Sequence, residues 1–167
     1  MKEPLAVVLM GVSGCGKTSV GTGLSEMLGW PFYDGDDYHP QANIDRMSAG
    51  IPLTDEDRLP WLEGLRDLIL RDLSEGCSLI VACSALKADY RKILDGGRGD
   101  VHFVFLEGSF ELIQKRLQAR SGHYMKPGML RSQFATLELP EEAQTVSIDQ
   151  PVGKIVEAIV AAIADQE

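Results

Sequence analysis

Between Gly11 and Thr18 the chain reads G-V-S-G-C-G-K-T, and its flanks decide what such a glycine-rich stretch can become. The apolar run Leu5-Ala6-Val7-Val8-Leu9-Met10 before it predicts a strand buried on both faces, while Val20, Leu24, Met27 and Leu28 after it recur at helical spacing. The stretch must therefore turn a strand into a helix. Glycines let the backbone curl until successive N–H groups point inward, the helix N-terminus adds partial positive charge, and Lys17 and Thr18 bring an ammonium and a hydroxyl to the same place. Such a cradle suits a polyphosphate. The spacing is that of the phosphate-binding loop, G-x-x-x-x-G-K-[ST], in which Gly11, Val12, Ser13, Gly14, Cys15, Gly16 and Lys17 surround the phosphates of ATP and Thr18 puts its hydroxyl on Mg²⁺.

Beyond this loop, strand and helix patterns alternate. Trp30 to Tyr33 reads as a short strand leading into an acidic turn, Asp34-Gly35-Asp36-Asp37. A short helix is expected from Asn43 to Ala49 with Gly50 as its cap. Thr54 and Asp57 have capping-box spacing and open a longer helix carrying Trp61, Leu62, Leu65, Leu68, Ile69 and Leu73, with Pro60 able to kink it. Strands are expected at Ser78–Cys83, Val101–Leu106 and Thr145–Ile148, and helices at Leu86–Leu94, around Phe110, Ile113 and Leu117, from Met129 to Leu137, and around Ile155, Ile159 and Ile163. Alternation of this kind predicts an α/β fold: a doubly wound parallel sheet of about five strands, with helices on both faces. The chain, 167 residues long, has the size of one domain. Within it, about 37–60 forms an acceptor-binding insertion and about 120–130 a small lid.

Composition excludes several partners. With 25 acidic residues against 16 basic ones, a formal charge of -9 and no Lys/Arg cluster, the surface does not suit a nucleic acid. No apolar stretch approaches the length of a bilayer span and the N-terminus lacks a signal-peptide pattern, so a cytoplasmic protein without membrane attachment is expected. Cys15, Cys77 and Cys83 are odd in number and lack C-x-x-C spacing, which suits reduced thiols better than disulfides or zinc.

A phosphate loop serves motors, switches and kinases alike, so other residues must choose. Guanine recognition would want N-K-x-D, and the nearest approach, Leu86-Lys87-Ala88-Asp89, has the wrong first residue. No strand ends in the Asp-Glu pair of many ATP-driven motors. A small-molecule kinase remains. Its acceptor binds beyond the carboxyl ends of the strands, where Asp34 and Asp36 would face the γ-phosphate. One of these can hold Mg²⁺ through water and the other can accept the proton of an attacking hydroxyl. His39 can donate to a polyol. Arg46 is open to two readings, a surface ion pair or a substrate contact, whereas Arg58 near the strand ends can clamp a carboxylate. Arg116 and Arg120, one helical turn apart before the Gly122–Gly128 loop, are placed as lid cations over the triphosphate.

Five segments taken together resemble the gluconate kinases: G-V-S-G-C-G-K-T, F-Y-D-G-D-D-Y-H-P, I-P-L-T-D-E-D-R-L-P-W-L, C-S-A-L-K-A-D-Y-R, and G-H-Y-M through S-Q-F-A-T-L-E. The resemblance runs in order over nearly the whole chain. It implies a P-loop kinase fold similar to shikimate kinase, phosphoryl transfer from ATP to the 6-hydroxyl of D-gluconate, and a homodimer, the alternative being a related P-loop kinase for another hydroxy acid such as shikimate. It also implies roles: Asp36 as the hydroxyl-activating carboxylate, Asp34 as metal partner, and Arg120 as lid cation. His39, Arg58, Lys87 and His123 would line the sugar-acid site, with the Asp149-Gln150-Pro151 segment flanking adenine. Cys15 and Thr18 stand where serine is common, which would expose a thiol beside the nucleotide.

Overall fold

The computed structural model describes residues 2–119 and 127–166. Among these the chain forms five strands, β1 (Ala6–Met10), β2 (Phe32–Asp34), β3 (Leu79–Ala82), β4 (Val101–Glu107) and β5 (Gln144–Ser147). All pair in parallel in the order β2-β3-β1-β4-β5. The chain winds outward from β1 to β2, returns to β3, then crosses to β4 and β5 on the other side of β1. That reversal opens a crevice beyond the carboxyl ends of β1, β3 and β4.

Every residue of β1 and β3 is buried, as a strand covered on both faces demands. Alternation sorts them: Val7 and Leu9 join one core with Leu24 of α1 (Lys17–Leu28) and Ile155 and Ile159 of α7 (Val152–Ala164). Ala6, Val8 and Met10 join the opposite core with Leu62, Leu65 and Ile69 of α3 (Asp55–Ser74) and Leu94 of α4 (Ala88–Asp95). The doubly wound architecture follows from this two-sided burial. α2 (Gln41–Ser48) and the start of α3 occupy the segment about 37–60, and α5 (Phe110–Ala119) and α6 (Pro127–Thr136) lie between β4 and β5.

Three boundaries, those of β2, α4 and α6, differ from expectation for local reasons. Asp34 ends β2, paired with Ala82, instead of opening a turn; the turn itself is a 3₁₀ helix over Gly35–Tyr38. α3 runs through Pro60 as one element of 20 residues behind the expected Thr54/Asp57 capping box. α4 starts at Ala88, not Leu86, because Ala85 takes a left-handed backbone at φ 45° and Lys87 is extended. α6 begins at Pro127, where the first helical turn has no use for the missing N–H.

Candidate active site

The stretch Gly11–Thr18 forms the loop between β1 and α1 that its flanks required. Gly14 and Gly16 hold φ of 83° and 97°, and a Cβ on Gly14 would lie 2.8 Å from Leu117 Cγ, so the curl is open only to glycine. Gly16 caps α1 without a side-chain bond, leaving the first N–H groups of the helix to the loop. The Lys17 ammonium turns back into it and donates to the carbonyls of Gly11 and Val12 at 2.9 and 3.1 Å. The Cys15 thiol is buried under the loop, 3.7 Å from Lys17 Nζ. That corrects the expectation of a thiol exposed to the nucleotide: Cys15 packs into the core with Val12 and Val20.

Because Asp34 ends a strand, its carboxylate is held in place. Oδ2 accepts from the Thr18 hydroxyl at 3.3 Å and Oδ1 accepts from the Asp36 N–H at 3.1 Å, capping the 3₁₀ turn. Thr18 and Asp34, the two expected metal residues, thus meet. Asp36 stands at the solvent-open lip of the crevice. Protein packed around its carboxyl nonetheless raises its pKa above the ordinary carboxylate value by desolvation; the Asp34 charge adds to the rise and Lys17 opposes it. A carboxylate so shifted is a better proton acceptor. Trp61 Nε1 donates to the Gly35 carbonyl at 2.7 Å and fixes the same turn from α3. A Cβ on Gly35 would collide with the Ala82 carbonyl oxygen. Gly35→Ala is therefore expected to cost about 1–3 kcal/mol, a Tm loss of a few degrees in a thermal melt, with a lower kcat as the turn carrying Asp36 is displaced.

His39 stacks on Trp61 with ring centroids 4.0 Å apart. Burial, then the nearby Arg58 charge, lower its pKa to about 4, so the ring is neutral at pH 7. Asn43, 3% exposed, donates to the Asp57 carbonyl at 2.8 Å and places its amide nitrogen 3.3 Å from His39 Nδ1. With Nδ1 accepting, the ring proton sits on Nε2, and His39 becomes a donor for a hydroxyl.

Arg58 and Lys87 converge on Tyr90. Arg58 Nη1 donates to the Tyr90 hydroxyl at 3.0 Å, both cations lie 5.6 Å from the centre of its ring, and Lys87 Nζ donates to Asp55 at 3.0 Å. The Tyr90 hydroxyl also donates to Asp55, and that bond, followed by the one from Lys87, holds the Asp55 carboxyl below its ordinary value. Lys87 is raised in turn by its bond to Asp55. Beside these groups lies a cavity of about 420 Å³ lined by Leu59, Leu62 and Glu138 among others. Arg46 belongs to the rim: it pairs with Asp57 at 3.6 Å, its side chain 48% exposed, and Asp57 feels the Arg58 charge as well. The ion pair expected of Arg46 is thus formed, on a side chain that stays half exposed.

At the far end of the crevice, Arg116 Nη2 donates to the Ile148 carbonyl at 2.6 Å, and Gln150 Nε2 donates to the Ser147 carbonyl at 2.8 Å. Pro151 caps α7 beside them. Arg116 is thus fastened to the end of β5, next to a cavity of about 430 Å³ lined by Gly108, Ser109, Ser147 and Asp149. Arg120, His123 and most of the expected lid lie outside the described residues. No cluster of three or more His, Cys, Asp or Glu able to hold a metal occurs among the described residues.

Several residues of the site escaped the sequence reading. Tyr90 and Asp55 stood within noticed segments, and the spacing of Lys87 and Tyr90, three apart at the start of a helix, was the signal for one shared face. Asn43 and Trp61 carried no such signal, since a core role and a second-layer role look alike in sequence.

A phosphate loop at a β1–α1 turn, with carboxylates at the end of β2 and a cationic cluster at the starts of α3 and α4, defines a P-loop small-molecule kinase. A sequence profile of shikimate kinase matches residues 13–164. A probable gluconokinase of Rattus norvegicus is 44% identical, over 98% of this chain and 100% of that protein. The thermosensitive gluconokinase of Escherichia coli (strain K12) is 49% identical over 85% of this chain and 77% of its own. The crystal structure of a gluconokinase from Sinorhizobium meliloti 1021 superposes with a TM-score of 0.89 at 41% identity, covering 99% of this chain and 95% of that one. The chain belongs to the shikimate kinase family and, within it, to the gluconokinases, which are ATP-dependent phosphotransferases.

Proposed function

We propose that this enzyme transfers the γ-phosphoryl group of ATP to the 6-hydroxyl of D-gluconate, with Asp36 taking the hydroxyl proton. The observation that carries the reading is the meeting of Asp34 and Asp36 on one turn within reach of the Lys17 charge, with the Arg58–Tyr90–Lys87 cluster linked to the end of that turn through His39, which feels the Arg58 charge. Gly11–Lys17 would hold the phosphates, and Arg116, Gln150 and Pro151 would bracket the base beside the cavity at the end of β5. Thr18 and Asp34, two hard oxygen donors 3.3 Å apart, suit Mg²⁺ that keeps most of its waters and phosphate ligands; bound, it would supply charge for the phosphoryl oxygens. Neutral His39 donates to a sugar hydroxyl, and Arg58 and Lys87, braced by the Tyr90 hydroxyl and Asp55, face the carboxylate. Arg120 and His123 extend this reading to the lid and the sugar acid. The free thiols of Cys15, Cys77 and Cys83 suit a reducing cytoplasm, and a homodimer accords with the family resemblance.

An ADP-release assay with gluconate, shikimate, glucose and nucleoside monophosphates side by side tests the substrate. Gluconate is expected to turn over alone, because a neutral sugar offers the Arg58 guanidinium no carboxylate to pair with. Arg58→Leu is expected to raise KM for gluconate by about 10- to 100-fold with KM for ATP unchanged, the loss of one charge-assisted contact. Equal turnover of glucose, or an unchanged KM for gluconate in Arg58→Leu, would place the carboxylate elsewhere.

A further inference from the structure

Ser13, in the middle of the phosphate loop, is bonded twice by a side chain 120 positions away. Gln133 Oε1 accepts the Ser13 backbone N–H at 2.7 Å, and Gln133 Nε2 donates to Ser13 Oγ at 3.1 Å. The orientation of the amide is fixed by the partner, since a backbone N–H can only donate. Gln133 is mounted on an anchored helix. On α6, Leu130 is 1% exposed and Phe134 packs edge-on against Phe110 of α5 at 5.6 Å; just beyond, the Glu138 N–H donates to the Leu86 carbonyl at 2.8 Å. The amide is therefore presented by the body of the protein.

A loop with glycines at φ 143°, 83° and 97° is costly to order, and its affinity for phosphate depends on how far that ordering precedes binding. We propose that Gln133 is a positioning residue of the phosphate loop: its amide pins the Ser13 peptide, so that the curl from Gly14 into α1 keeps the shape that receives the phosphates. With Oγ accepting from Nε2, the Ser13 hydroxyl keeps its own proton as a donor. This inference rests on the reading of Gly11–Thr18 as the ATP loop.

The test is direct titration of ATP and ADP on wild type, Gln133→Ala, Gln133→Glu and Lys17→Ala, with a thermal melt of each. Gln133→Ala is expected to weaken both nucleotides about 5- to 30-fold, as two part-buried hydrogen bonds are lost, while KM for gluconate holds. Gln133→Glu keeps an acceptor for the Ser13 N–H, loses the donor to Oγ and adds a negative charge. It should melt like wild type yet weaken ATP more than ADP. A merely structural tie of α6 would instead lower Tm in both variants and leave both affinities within twofold of wild type, which overturns the proposal. If Gln133→Ala does not fold, Gln133→Glu decides alone by the same criterion. Lys17→Ala separates the two levels: unchanged ATP affinity there refutes the loop assignment itself, whereas weakened ATP with unaffected Gln133 variants refutes only the role of Gln133.

Discussion

Lys17→Ala is expected to lower kcat/KM by on the order of 10²-fold or more while leaving the melting temperature near that of wild type. The ammonium is held by two loop carbonyls, of Gly11 and Val12, in a part-buried position, so its removal disturbs no core packing. What it removes is a point charge able to follow the β- and γ-phosphates as negative charge shifts during transfer. A second consequence comes from its neighbour. Lys17 is the group that opposes the rise in the Asp36 pKa, so without it Asp36 should titrate higher still. The acid limb of the pH–rate profile of Lys17→Ala is therefore expected to move to higher pH relative to wild type. Rates of ADP release across pH, with a thermal melt as control, measure both effects; near-native turnover would sink the assignment of the loop.

The loop was legible because several independent constraints coincide there: an apolar strand, glycines, a cation and a helical period, each with its own physics. The strands were legible for the same reason, since burial on both faces leaves continuous apolar runs such as Leu79–Ala82. Arg46 shows where such reading stops. A cation among Asp45, Asp55, Glu56 and Asp57 can pair with any of them or with a substrate, and only the placement of α2 against α3 selects Asp57. Cys15 is a similar case, because the motif fixes the curl of the backbone and not which side chains turn under it. The backbone at Ala85 is held from afar, by the Arg91 guanidinium on its carbonyl at 2.7 Å and by Glu138 on the neighbouring Leu86 and Ala88 groups. These partners are 6 and about 50 residues away, beyond any local pattern. Gln133 and Tyr90 belong with them: their chemistry lies in who they meet, and the meeting is made by the sheet.

Asp36→Asn should separate the catalytic and structural meanings of one carboxylate. The amide keeps the shape of the group but cannot take a proton, so kcat is expected to fall by roughly 10²- to 10⁴-fold with ATP affinity nearly unchanged. Stability should move the other way. In the folded protein the Asp36 pKa lies above its ordinary value, first through desolvation and then through the charge of Asp34, which means that the fold penalises the ionised form. Below the ordinary carboxylate range both folded and unfolded chains hold the proton and the penalty is absent; as pH rises through the folded pKa the wild type loses that stability and the Asn variant does not. The variant is therefore expected to melt at or above the wild-type temperature at neutral pH, with the difference shrinking as pH falls through the carboxylate range. Destabilisation by Asp36→Asn at neutral pH would refute the penalty assigned to this ionised carboxylate. A collapse of ATP affinity with kcat preserved would move Asp36 to the metal and leave Asp34, tied to Thr18, as the proton acceptor.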